Sequence, residues 1–186
     1  MMTLRPWAWQ AVVFFWLFSA CLAEAGSQPG TVVAWGYNLN SGGYVTGQTN
    51  VPFGLTNAVA IAAGGYHSLA LRSNGMVVAW GDNTYGETNV PPGLSNVVAI
   101  AAGDYHSLAL QSNGLVVAWG SNFFGVTNVP SGLSDVAAIA AGNVCSLALQ
   151  NNGKVTAWGS NGNGQTNVPP GLSNVVSIAA GASQSL

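Results

Sequence analysis

The chain has 186 residues, enough for one domain with a sizeable core, yet 49% of them are hydrophobic and only 4% are charged. Lys and Arg total three and the net charge is −2, so no basic patch can form; this excludes nucleic acid as a partner and disfavours an anionic membrane surface. Asn, Ser, Thr, Gln and the 25 Gly must solvate the surface instead.

Residues 1–25 read as a signal peptide. Arg5 supplies a positive start, Ala11 to Leu22 an uncharged apolar stretch, and Ala23-Glu24-Ala25 a small-x-small cleavage site, placing the expected cut after Ala25. The expected location is therefore secreted or cell-surface. Membrane attachment would follow only if the leader stayed uncleaved, since Pro6 to Ala23 is nearly long enough to span, or if Cys21 were lipidated. After cleavage Cys145 is the only cysteine, so neither an intrachain disulfide nor zinc-ligand spacing remains. No Asn-x-Ser/Thr glycosylation acceptor occurs.

Residues 26–186 are repeats. Ala-Trp-Gly recurs at Trp35, Trp80, Trp119 and Trp158, and Ala-Ala-Gly ends at Gly64, Gly103, Gly142 and Gly181 in constant steps of 39 residues. The six extra residues of the first unit fall between Trp35 and Thr49 and mark a loop. The unit that runs through Trp119 predicts four short strands. Asn96 to Ala102 is apolar and β-branched, and Gly103 ends it. Tyr105 to Leu110 follows, then Asn113-Gly114, read as a type I′ hairpin turn, and Leu115 to Trp119. Thr127-Asn128-Val129-Pro130 is expected as a fourth, edge strand. Thr31 to Gly36 is read as the corresponding Trp strand of the first unit.

Alternation places His106, Leu108 and Leu110 on one face and Ser107 and Ala109 on the other. One face is bulky and the other small, which suits sheets packed face to face. Helices are excluded from the repeats, because Gly or Pro there interrupts each apolar run of four to seven residues. The predicted fold is an all-β propeller of four-stranded blades.

The unit VVAWG-x-N-x-x-G-x-TNVP-x-GL-x-NVVAIAAG-x-YHSLAL-x-SNG resembles the repeat of the regulator of chromosome condensation family, over Thr31 to Leu186. Its short form is similar to the bacterial repeats of the type II β-lactamase inhibitory protein. The resemblance implies a seven-bladed propeller, which would need roughly 270 residues at ~40 per blade. Three units are whole and a fourth is split between the two ends, so a partial ring, truncated at the C-terminus, is expected; a closed four-bladed ring is the alternative.

No catalytic, metal or cofactor site is expected. His67 and His106 share a repeat position with Cys145 and Gln184, which points to a structural hydrogen bond. Asp82, Glu87, Asp104 and Asp135 are dispersed in sequence and show no acid/base pairing. Asn161-Gly162-Asn163-Gly164 lacks the charged oxygens a calcium site needs. Trp35, Trp80, Trp119 and Trp158 repeat in register and are assigned to the core, with His67 and His106. Tyr66, Tyr105, Tyr85, Phe123 and Phe124 do not repeat fully; with Asp104 they are the candidate binding residues, because exposed aromatics supply hot spots. The expected function is a secreted, non-catalytic scaffold that binds an extracellular protein or glycan. The rivals are an inhibitor of an extracellular enzyme such as a β-lactamase, a nucleotide-exchange or chromatin role implied by the resemblance, and a propeller enzyme.

Overall fold

Val, Ile and Ala in runs of five or six, each closed by Gly or a polar turn, favour strands over helices. Nine strands form in the computed structural model, which describes residues 30–40 and 42–186. The expected signal peptide, its cleavage site after Ala25 and Cys21 lie outside the described residues. Strands β1 (Ala58–Ala63), β2 (His67–Arg72) and β3 (Val77–Gly81) make one antiparallel sheet in that order. Strands β4 (Val97–Ala102), β5 (His106–Gln111) and β6 (Val116–Gly120) make the second, and β7 (Val136–Ala141), β8 (Cys145–Gln150) and β9 (Val155–Gly159) the third. The registers superimpose: Ser68, Ser107 and Ser146 each lie opposite the tryptophan of the next strand.

The expected fourth strand does not form; among the described residues each sheet has three strands. Thr127 to Pro130 turns instead. Asn128 N–H reaches back to the Gly125 carbonyl at 3.1 Å, and Val129 N–H to Thr127 at 3.0 Å. Asn122 holds the segment from its side, accepting from Thr127 N–H at 3.2 Å and donating to Asn128 Oδ1 at 2.8 Å. Backbone donors satisfied locally are lost to a ladder. The hairpin type also differs. Gly114 has φ +79° but Asn113 is not left-handed, so a type I turn followed by a left-handed Gly replaces the expected type I′. Asn113 contributes through its side chain, which accepts from Leu115 N–H at 3.1 Å. The left-handed Asn/Asp position lies elsewhere, just before β1, β4 and β7 at Asn57, Asn96 and Asp135 and at the same repeat position in Asn174, all with φ between 54° and 59°.

The sheets stack, and β1, β4 and β7 adjoin one another in turn. Leu69 and Leu71 of the first sheet pack against Ile100, Ala102, Ala109 and Trp119 of the second. Leu108 and Leu110 of the second pack in the same way against Ile139, Ala141, Ala148 and Trp158 of the third. The bulky face of each sheet thus fills the space left by the small face of the next. No sheet can bury both faces alone.

A polar joint repeats between the sheets. Trp80, Trp119 and Trp158 each donate their indole N–H to a carbonyl in the preceding loop, those of Gln48, Glu87 and Val126, at 2.7–2.9 Å. Ser68, Ser107 and Ser146 donate to the same three carbonyls. His67 Nε2 lies 2.9 Å from Ser107 Oγ, and His106 Nε2 3.0 Å from Ser146 Oγ. Each serine hydrogen is committed to its carbonyl, so the imidazole must donate through Nε2–H. The second nitrogen, Nδ1, is buried without a partner in both histidines. Trp119→Phe removes one of the two donors on the Glu87 carbonyl and leaves a small void. It is expected to cost about 2 kcal/mol, read as a lower urea midpoint with unchanged m-value.

Trp35 departs from the core position expected of all four tryptophans: it is 52% exposed, whereas Trp80, Trp119 and Trp158 are 7–8% exposed. Its segment makes a single bridge, Gly30 to Ala58, in place of the expected strand ladder. The described residues contain no preceding sheet whose leucine face could cover it.

Candidate functional site

Two connections meet at one edge of each sheet: the turn after the first strand and the loop after the third. Hydrogen bonds of 2.8–2.9 Å tie them, from Asp82 N–H to the Tyr66 carbonyl, Ser121 to Tyr105 and Ser160 to Val144. Stacking the sheets brings these edges into one rim. Gly65 N–H reaches the Gly103 carbonyl of the next unit at 3.3 Å, as Asn143 N–H reaches Gly181.

Four of the candidate aromatics form a chain of ring contacts along this rim. Tyr66 and Tyr105 have centroids 6.1 Å apart with planes tilted by 41°. Tyr85 meets Tyr105 edge to face at 5.6 Å and 85°, and Phe123 at 6.3 Å and 86°. Tyr85 is 48% exposed, Phe123 81% and Phe124 55%, while Tyr66, Tyr105 and Asp104 are half-buried. Phe124 joins Tyr85, Tyr105 and Phe123 around a pocket of about 180 Å³, which is also lined by His106, Ser121 and Asn143. A larger cavity of about 380 Å³ lies among Leu147, Ala157, Val168, Ile178 and Leu186. Leu147 occupies the repeat position of the packed Leu69 and Leu108, so that cavity belongs to the stacking interface.

The carboxylates are less dispersed than their sequence spacing implies. Asp82, Glu87 and Asp104 all stand at the aromatic edge, and Asp135 at the opposite one. Asp82 is fixed by Thr84, which donates through its N–H at 3.0 Å and its hydroxyl at 2.6 Å. Burial raises the Asp104 carboxyl above its ordinary pKa. Burial first, then Tyr66, Asp104, Tyr85 and Glu87, raises the Tyr105 phenol. Glu87 is almost fully buried, and its Oε2 accepts the Tyr85 N–H at 2.8 Å, which sets the loop that carries that ring. Burial raises its pKa and the Asp82 charge adds to this, against the hydrogen bond from Tyr85. Sequence reasoning missed this positioning role. The signal was the repeat itself: Gln165 stands at the same position and accepts Asn163 N–H at 2.9 Å in the same way.

Arg72 and Lys154, the two cations among the described residues, sit at the far edge. Arg72 ends β2 and donates to the Gly54 carbonyl at 3.4 Å, and Lys154 precedes β9. Among the described residues, the aromatic rim therefore carries carboxylates and no Lys or Arg.

His67 and His106 are buried, and burial lowers both pKa values to about 4; Asp82 opposes this at His67, and His67 adds to it at His106. Burial also raises the Cys145 thiol, against hydrogen bonds from Ser185 and the Gly142 backbone, so it is not an activated nucleophile. Asn161 donates to Asn167 at 2.7 Å and accepts from Thr166, a polar turn with its oxygens in use. Among the described residues no three His, Cys, Asp or Glu side chains gather into a metal-binding group.

The profile of the regulator of chromosome condensation (RCC1) repeat matches residues 58–87, 97–126 and 136–165. Each match starts within the first strand of a sheet and ends in the loop after its third. Among solved structures, Prp20p from Saccharomyces cerevisiae is similar at 26% identity and TM-score 0.59, covering 71% of this chain and 43% of that one. The entire ectodomain of receptor kinase CR4 from Physcomitrella patens is similar at 26% identity and TM-score 0.62, covering 79% and 40%. The CRINKLY WD40 ectodomain of ACR4 from Arabidopsis thaliana, at 24% identity and TM-score 0.56, covers 70% and 45% and shares the fold. The chain spans less than half the length of these structures. A comparison with curated proteins returned no match. With three repeat matches in phase with three sheets that stack as successive propeller blades, the chain carries three regulator of chromosome condensation (RCC1) repeats.

Proposed function

We propose that this chain is a secreted, non-catalytic scaffold that binds a partner protein through the aromatic rim of its blades. The observation that carries the reading is the run of four touching rings, Tyr66, Tyr105, Tyr85 and Phe123, across two neighbouring sheets, with Phe123 and Tyr85 open to solvent. Apolar rings left exposed where the fold does not need them fit an interface anchor. The third unit shows that they are dispensable for folding, because Val144, Gly162 and Asn163 stand where Tyr105, Phe123 and Phe124 stand in the second. Secretion rests on the leader at residues 1–25. Prp20p is described for its binding to Gsp1p and histones, so a solved structure of similar fold belongs to a protein-binding protein.

The test compares the full chain with Tyr105→Val/Phe123→Thr, residues taken from equivalent positions of other units. Each is immobilised, exposed to the extracellular medium of its own cells, and its retained proteins identified. A partner held by the parent is expected to fall at least about tenfold with the double variant, since hot-spot residues carry 2 kcal/mol or more each. The melting temperature is expected to stay within about 2 °C. Equal retention by both chains would sink the proposal.

A further inference from the structure

The ring geometry of the rim narrows the chemistry of its occupant. A sugar-binding platform presents ring faces in one plane. Here Tyr85 stands at 85° to Tyr105 and at 86° to Phe123, so the three rings make walls rather than a floor. Together with Phe124 they line a half-open pocket of about 180 Å³, which polar Ser121 and Asn143 also line. Orthogonal aromatic walls around a small volume suit a compact cation, which ring faces attract through their negative quadrupole. The charge pattern agrees. Asp82, Asp104 and the buried Glu87 stand at this edge, Arg72 and Lys154 at the other, so the pocket lies in a one-sided negative field.

We infer that the pocket walled by Tyr85, Tyr105, Phe123 and Phe124 is an aromatic cage for a cationic side chain, arginine or lysine, of a protein partner. This rests on the rim being the binding surface and adds which group of the partner seats there. His106 at the base of the pocket does not oppose it, because burial keeps that imidazole neutral at physiological pH. Asp104 acts from beside Tyr105, favouring a cation without forming one wall of the cage.

The probe is a glycine–arginine peptide titrated into the full chain, followed through the ring resonances of Tyr85, Tyr105 and Phe123. The control peptide carries citrulline, which has nearly the same shape without the charge. The arginine peptide is expected to shift these rings and bind at least about fivefold more tightly than the citrulline peptide. Binding is expected to weaken as salt rises from ~50 mM to ~500 mM, since the carboxylates act through a screened field. Tyr85→Asn, which copies Asn163, is expected to abolish the shifts with the fold intact. Asp104→Asn, which copies Asn143, is expected to weaken binding about threefold, a typical loss for one partly exposed charge. Equal affinity for the two peptides overturns the inference, as does ring perturbation by a chito-oligosaccharide with none by the arginine peptide. Either result leaves the rim as a binding surface for the capture experiment to decide; equal capture by Tyr105→Val/Phe123→Thr removes the rim itself.

Discussion

Gly103→Ala is expected to lower the melting temperature by about 10 °C, corresponding to about 3 kcal/mol. The backbone of Gly103 is not left-handed, so conformational freedom is not the reason for glycine here. Space is the reason. A Cβ on Gly103 would clash with the Gly142 carbonyl oxygen of the next blade and with His106 Cε1. The ring could swing only by losing its bond to Ser146, and the carbonyl could retreat only by parting the blades. A Cβ on Gly64 would likewise run into the Gly103 carbonyl oxygen, and one on Gly142 into the Gly181 carbonyl oxygen, so the same close approach recurs at each joint. Gly162→Ala is the control: nothing lies within 4 Å, and its change is expected within about 0.5 kcal/mol. Thermal unfolding of the two variants beside the parent decides the matter. Equal melting temperatures would show that the blades do not pack this closely.

Acid should loosen the same joints. His67 and His106 have pKa values of about 4 when folded, against 6.5 for an unperturbed histidine. As the pH falls through 6.5 the unfolded chain takes up protons that the folded chain refuses until about pH 4. Their contribution is therefore complete above pH 6.5, declines between 6.5 and 4, and levels off below. The decline is on the order of 3 kcal/mol for each histidine. Glu87 and Asp104 act oppositely, because their folded pKa values are raised; protonation favours the folded state as the pH drops. They offset part of the loss in the parent and remain in His67→Gln/His106→Gln, so the difference between the two proteins isolates the histidines. Glutamine is the conservative choice, since Gln184 occupies the same repeat position. Urea midpoints measured across this range are expected to fall steeply for the parent and far less for the variant. Parallel curves would mean that the imidazoles are not held neutral.

The repeat, the strand boundaries to within a residue or so, and the large-against-small packing were legible from residue patterns. All three are local: Leu-Ala-Leu alternation assigns each face, and Gly or Asn marks each turn. The hairpin was misread for a reason of the same scale. Asn113-Gly114 is compatible with two turn types, and the choice depends on whether the Asn side chain or its backbone closes the loop. The fourth strand failed because Asn122, five residues away, competes for its donors.

The candidate site was legible as a set of residues but not as an object. Tyr85 and Phe123 occupy different positions within their repeats, so no alignment of units pairs them; they meet because consecutive blades are stacked. The same stacking buries Trp119 and leaves Trp35 half open, although their local sequences match. It also converts Glu87 from one of several scattered carboxylates into the buried group that orients Tyr85. Chain-local chemistry was sufficient for the blade itself and for the non-repeating aromatics to be set apart from the core. The cage, the one-sided charge around it and the glycine contacts at each joint depend on distances between blades. Those distances follow from how whole faces fit together, which no single repeat encodes.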